Sequence, residues 1–314
     1  MSFRIDREVF EGEHLVRISN EDTKEYFEVL PSLGGTVKQI SLLKDNHSLY
    51  SILREDGKGE SATNPLFRGR VLFPFNDRIP GGKYQFEGNE YQLPINCEED
   101  QSSIHGLLYN RAMKEGGFEL TEQDGSVTLI HQFKESDFKG YPFSVKISIT
   151  YKLNVSSFSM EFKIDNTGSK GCPIALGWHP YFLCPGQLSG WEFEYSGNSY
   201  VEVGHDLLPT GNQIAVEGSH FDFRKPKKLN DLALDIALEC SNDGEMSLES
   251  DQYKLKLDYD KDLFKYTQLY IPDERDSIAI EPVSAATNAF NQEGLGLITL
   301  VPQETKLGAI CVRL

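Results

Sequence analysis

Four ionisable side chains stand where the chain is punctuated by proline, glycine or aromatic residues: Arg78, His105, His179 and Glu281. Arg78 lies in Phe73-Pro74-Phe75-Asn76-Asp77-Arg78-Ile79-Pro80-Gly81-Gly82, where two prolines and two glycines restrict the backbone path around it. A guanidinium aimed in this way can donate paired hydrogen bonds to vicinal hydroxyls, or it can be held in an ion pair with Asp77 or another carboxylate. His105, in Ser103-Ile104-His105-Gly106-Leu107, precedes a glycine whose missing side chain would let a ligand approach the ring. A loop histidine with a purely structural hydrogen bond has the same local sequence.

His179 is set among aromatics in Gly177-Trp178-His179-Pro180-Tyr181-Phe182, and Pro180 keeps that segment from continuing as a regular helix or central strand. Sugars stack their C–H faces on such rings, and an aromatic corner of the core is composed alike. Glu281 closes the apolar run Ser277-Ile278-Ala279-Ile280-Glu281, with Pro282 after it, so a strand ending in a poorly solvated carboxylate is expected. Burial raises a carboxyl pKa and suits the group to taking and returning protons near neutral pH, although a buried ion pair fits as well. Asn288 and Asn291 can supply neutral hydrogen bonds at the same wall or cap turns.

His105, His179 and Glu281 lie in three distant segments, unlike the closely spaced ligand pairs of sequence-readable metal sites, so no catalytic metal and no cofactor is expected. GxSxG, P-loop and GxGxxG patterns are missing, which leaves no basis for a serine hydrolase, an NTPase or a Rossmann dehydrogenase.

The elements that must position these residues read as strands. Phe143 to Leu153 and Phe158 to Ile164 alternate apolar with polar residues around Asn154-Val155-Ser156-Ser157, which implies an antiparallel pair. Val127 to Phe133 and Tyr253 to Tyr259 have the same period, and Tyr26 to Leu43 reads as short strands broken at Pro31-Ser32-Leu33-Gly34-Gly35. Asn230 to Leu238 is the best short helix candidate, and 27 Gly with 14 Pro interrupt any longer one. An all-β fold, a large antiparallel sandwich with few short helices, is therefore expected. No linker, repeat or charge block divides the chain, so residues 1–314 are read as a single domain.

With 31 Lys and Arg against 48 Asp and Glu, the formal charge of −17 disfavours nucleic acid as a partner. No apolar stretch is long enough to span a bilayer, so no membrane association is expected. The start of the chain lacks a secretory pattern, which makes cytoplasmic the expected location. Five scattered cysteines without a CxxC spacing read as reduced thiols.

Asn76-Asp77-Arg78-Ile79, Phe86-Glu87-Gly88 with Tyr91-Gln92-Leu93, Ile104-His105-Gly106, His179-Pro180-Tyr181-Phe182 and Glu281-Pro282 follow one another in the order found in aldose 1-epimerases. From about Leu30 to the C-terminus the chain resembles the galactose mutarotase-like members of that family. The resemblance implies one large β-sandwich (a supersandwich) acting as an isomerase on a free galactose- or glucose-like aldose, as monomer or homodimer, with no cofactor. By matching position, His179 would be the general acid on the ring oxygen and Glu281 the base on the anomeric hydroxyl. Arg78 and His105 would hold the ring, and the family's substrate-binding aspartate falls at Asp235, with Asp231 as its neighbour. Where many members continue with His-Gly-Gly and then phenylalanine and tryptophan, this chain has His105-Gly106-Leu107-Leu108-Tyr109, which leaves the preferred sugar open.

Two alternatives accompany that expectation. A hexose 6-phosphate substrate would draw on Arg68, Arg70, Arg78 and Lys83 as cations. A carbohydrate-binding protein without catalysis would keep the cleft but need no acid and base.

Overall fold

A hydrophobic period of two produces strands, and strands make up the regular structure almost entirely. The computed structural model describes residues 2–44, 48–240 and 243–314. The alternation around residue 155 forms Val145–Asn154 and Ser157–Asn166, antiparallel across a tight turn with Ser156 at φ 57°. Val145, Ile147, Ile149, Tyr151 and Leu153 are fully buried while the intervening residues are half-buried, so one face of the pair is core.

These two strands belong to a nine-stranded sheet ordered Lys114–Leu120, Asp124–Phe133, Val145–Asn154, Ser157–Asn166, Thr305–Arg313, Lys254–Tyr259, Glu245–Glu249, Glu192–Tyr195 and Lys227–Lys228. An eight-stranded sheet runs Pro209–Ala215, Ser199–Val203, Asp235–Glu239, Tyr266–Tyr270, Ile278–Val283, Gly177–Trp178 and Val71–Leu72, with Tyr181–Phe182 also paired to Ile278–Val283. The first five strands, from Phe3–Phe10 to Ser48–Ser51, form a third sheet. Phe158 of the nine-stranded sheet meets Trp178 of the eight-stranded sheet at 6.2 Å and Phe27 of the five-stranded sheet at 5.2 Å between ring centres. One apolar cluster accordingly draws on all three sheets, the layered burial that a sandwich requires.

Two expectations need correction. Among the described residues there is no α-helix, only the single 3-10 turns Pro31–Leu33 and Leu188–Gly190, and none long and apolar enough to cross a membrane. In the helix candidate Asn230 to Leu238, residues from Asp235 onward form the strand Asp235–Glu239 paired with Tyr266–Tyr270. Leu234 and Leu238 stand at helical spacing while Leu234, Ile236 and Leu238 alternate as in a strand, and the ladder to Tyr266–Tyr270 decides. Pro282 does not end its strand either: Ile278–Val283 continues through it.

Arg70 ties the first sheet to the loops beside it. Its guanidinium donates to the carbonyls of Leu33 (3.0 Å), Tyr109 (2.7 Å) and Ser61 (2.7 Å) and to Thr36 Oγ1 (2.9 Å). Burial lowers its pKa to about 10, still a charged group at neutral pH. Arg70→Met strands these carbonyls in the interior and is expected to cost about 3 kcal/mol, read from the urea midpoint.

Candidate active site

Strand register assembles the site. Gly177 pairs with Val283 and Tyr181 with Ala279, so the intervening His179 falls opposite Glu281. Pro180 and Pro282 each remove an N–H here, and the ladder is interrupted between those two pairs. On the other side of Ile278–Val283, Gln268 pairs with Glu281 and Tyr270 with Ala279; the next strand places Ala237 opposite Gln268 and Asp235 opposite Tyr270. Cross-strand partners share a face, so His179, Tyr181, Glu281, Gln268, Tyr270 and Asp235 all project from one side of the eight-stranded sheet. Ile278, Ile280, Leu269 and Trp178 project from the other side into the core.

His179 Nε2 lies 3.5 Å from Glu281 Oε1, and both residues are buried. Burial raises the Glu281 pKa well above the usual carboxyl range, and the nearby Asp77 and Asp235 carboxylates add to the rise. Burial lowers the His179 pKa well below that of a free imidazole, with the neighbouring His105 and Arg68 acting the same way. Opposed shifts of this kind favour a protonated carboxyl beside a neutral imidazole, a pair that shares one proton and can take a proton at one oxygen while giving one at another.

The rings around the pair fix its orientation. His179 stacks on Tyr181 with ring centres 5.1 Å apart and planes 5° from parallel, and His105 meets it edge-on at 5.2 Å. His105 is held by the Asn76 carbonyl at 2.9 Å from Nδ1 and by the Phe67 ring at 4.6 Å. A carbonyl only accepts, so Nδ1 carries the proton; burial lowers the His105 pKa and leaves Nε2 as a hydrogen-bond acceptor. His105 itself has a left-handed backbone at φ 62°.

Arg78 makes the ion pairs foreseen for it and still lines the cleft. Its Nε donates to Asp100 at 2.6 Å and its Nη1 lies 3.7 Å from Asp77. Burial works against its charge, yet Asp77 and Asp100 outweigh this and raise its pKa. Asp77 is oriented in turn by the Arg78 amide (2.6 Å) and by the Thr287 hydroxyl. Arg78, Asp235, Gln268 and Thr287 line one narrow cleft. Asp235 keeps solvent access through the cleft mouth and accepts from Gln268 at 2.7 Å; enclosure by protein, then the Asp77 charge, raises its pKa. Exposed Asp231 is absent from that lining.

The structure thus sets His105 beside His179 and His179 beside Glu281, and Glu281 pairs across strands with Gln268, which lines the cleft with Arg78, Asp235 and Thr287. Gln268 was readable only through the alternation of Tyr266, Gln268 and Tyr270, which puts its amide on the cleft face. Gly106 serves a different purpose from the one expected: a Cβ there would meet the Phe73 carbonyl oxygen at 2.3 Å, so the close approach is of backbone rather than ligand. Asn288 donates its amide to the Arg78 carbonyl and Asn291 its side chain to that of Lys83, which makes both of them loop ties. Of the four cations weighed for a phosphate, Arg70 is engaged by carbonyls, and Lys83 is exposed beside a separate cavity.

The Glu281 shift has a measurable sign. Because its folded pKa is raised, the unfolded chain gives up this proton from about pH 4.5 upward while the folded chain keeps it. Its contribution is complete below that pH and is lost as pH rises toward the folded value. Glu281→Gln is therefore expected to match the parent in urea stability at pH 4 and to exceed it increasingly toward neutrality; a variant less stable at pH 7 contradicts the burial argument.

The aldose 1-epimerase family matches residues 16–310. The chain is 30% identical over 237 residues to the uncharacterized protein YihR of Escherichia coli (strain K12), covering 74% of each. It is 28% identical over 243 residues to the galactose mutarotase of Rattus norvegicus, covering 66% of each. Among solved structures it is similar to a galactose mutarotase-like protein from Clostridium acetobutylicum, with a TM-score of 0.86, 20% identity, and 99% of this chain and 98% of that one covered. An aldose epimerase homologue from C. elegans follows with a TM-score of 0.81 and the same identity and coverage. With its sandwich fold and nearly its whole length matched, the chain belongs to the aldose 1-epimerase family.

Proposed function

We propose that this protein interconverts the α and β anomers of a free hexose of the glucose or galactose kind, by acid–base opening and closing of the ring. The observation that carries the reading is the His179–Glu281 pair, buried, in contact, and shifted in opposite directions. Ring opening requires a proton to leave the anomeric hydroxyl while another reaches the ring oxygen, and both oxygens are bonded to the same carbon. A cross-strand acid and base 3.5 Å apart suit two such neighbouring atoms.

In the reactive form Glu281 is a carboxylate and His179 an imidazolium, one proton transfer away from the neutral pair. Glu281 takes the C1 hydroxyl proton, and a C1=O double bond forms. The C1–O5 bond breaks with its electron pair on O5, which takes the His179 proton. Rotation about C1–C2 presents the other face of the aldehyde. O5 then attacks C1 and returns its proton to His179, while the carbonyl oxygen recovers the proton from Glu281. Arg78 donates to ring hydroxyls, and His105 Nε2 and Asp235 accept from them.

Exchange spectroscopy on the anomeric protons of equilibrated glucose and galactose measures the rate without a coupling enzyme. Glu281→Gln and His179→Asn are each expected to lower kcat by about 10²- to 10⁴-fold. Arg78→Ala is expected chiefly to raise KM, by about tenfold or more, with kcat less affected. A fully active Glu281→Gln overturns the mechanism.

A further inference from the structure

The stretch that follows the Glu281 strand is fastened to the loop that carries Arg78. Strand Ile278–Val283 leads into residues 285–288, and three successive residues of the loop are tied to them. Asn76 donates its side-chain amide to the Ala285 carbonyl at 2.7 Å, the Thr287 hydroxyl donates to Asp77 Oδ2, and the Asn288 amide donates to the Arg78 carbonyl at 3.0 Å. Asn288 has a left-handed backbone at φ 60°, a conformation asparagine tolerates better than most residues. The first and third ties fix the path of the chain. The middle one fixes a charge.

Asp77 has both oxygens engaged away from the guanidinium beside it. Oδ1 accepts from the Arg78 amide at 2.6 Å and Oδ2 from the Thr287 hydroxyl, while Arg78 Nη1 stands 3.7 Å from Oδ1, beyond hydrogen-bond range. Left to itself, a carboxylate next to an arginine closes on it through paired N–H groups. Here Nε is taken by Asp100 at 2.6 Å, and no described residue accepts a hydrogen bond from the Nη groups. Arg78 lines the narrow cleft with Thr287, Asp235 and Gln268, so those open donors are the ones left for substrate hydroxyls.

Thr287 is itself buried, and its hydroxyl donates to a charged acceptor, which makes the bond stronger than one between neutral groups. Without that hydroxyl, Oδ2 of the half-buried Asp77 loses its donor, and Arg78 is the cation already within reach to replace it. A closed Asp77–Arg78 pair would occupy the donors that the cleft needs.

We propose that Thr287 is a positioning residue whose hydroxyl holds the Asp77 carboxylate off the Arg78 guanidinium and so keeps the Nη donors free for the sugar. The inference rests on the epimerase reading and deepens it, adding a residue that acts on the substrate through two others.

Titration calorimetry with glucose and galactose, joined to anomer exchange on the same variants, tests the restraint. Thr287→Val keeps the side-chain shape and removes the donor; it is expected to weaken sugar binding and raise KM about fivefold, with kcat within about twofold of the parent. Thr287→Ser returns the donor and is expected to restore both constants. A double-mutant cycle separates restraint from packing: with Asp77→Asn in place there is no carboxylate to close on Arg78, and adding Thr287→Val is expected to change affinity by less than about twofold. A loss as large in the Asp77→Asn background as in the parent, or a Thr287→Val variant that binds sugar like the parent, overturns the restraint. Sugar binding by the parent without anomer exchange removes the epimerase reading and leaves the restraint to be decided by the affinities, whereas a parent that binds neither sugar removes both.

Discussion

The site depends on a strand register. With Gly177 opposite Val283 and Tyr181 opposite Ala279, an imidazole and a carboxyl are fixed as cross-strand neighbours inside the protein, where neither prefers to be charged. Pro180 and Pro282 interrupt the ladder at that point, yet the pairs on either side keep the alignment. A slip of one residue would turn His179 and Glu281 toward the core and Trp178 and Ile280 outward, so the packing of those apolar residues enforces the geometry of the pair. Fold stability and site geometry are here the same constraint.

Around the pair the protein compensates charge rather than accumulating it. Arg78 is flanked by Asp77 and Asp100, and Arg68 by Asp56. The chain as a whole carries a formal −17. Such surroundings favour a neutral ligand whose hydroxyls donate and accept, and they preserve the opposed shifts of His179 and Glu281, which a strong uncompensated charge would bias toward one member. Positioning is shared in the same way: aromatic rings orient the histidines, and neighbouring polar groups orient the carboxylates.

Much of this was legible in the chain, for identifiable reasons. The alternation at Val145–Asn154 and Ser157–Asn166 is long and regular, so the sandwich class could be read directly. Asn230 to Leu238 could not, because the Leu234–Leu238 spacing also fits a helix turn and the pairing with Tyr266–Tyr270 is what fixes the strand. The proline and glycine signals around Arg78, His105 and His179 pointed to fixed loops, and these loops do converge. What those signals left out was which contacts the fixing served: Gly106 accommodates the Phe73 backbone, and Asn288 and Asn291 hold loop carbonyls. Gln268 and Thr287 reach the cleft through pairings distant in sequence, and no local pattern encodes them.

The most direct measurement is the optical rotation of freshly dissolved α-glucose and α-galactose followed with and without the protein in chelator-treated buffer. The buried proton-sharing pair is expected to speed the approach to equilibrium in proportion to protein concentration for at least one of the two sugars. Decay at the uncatalysed rate for both, with correctly folded protein present, contradicts anomer exchange as the activity of this site.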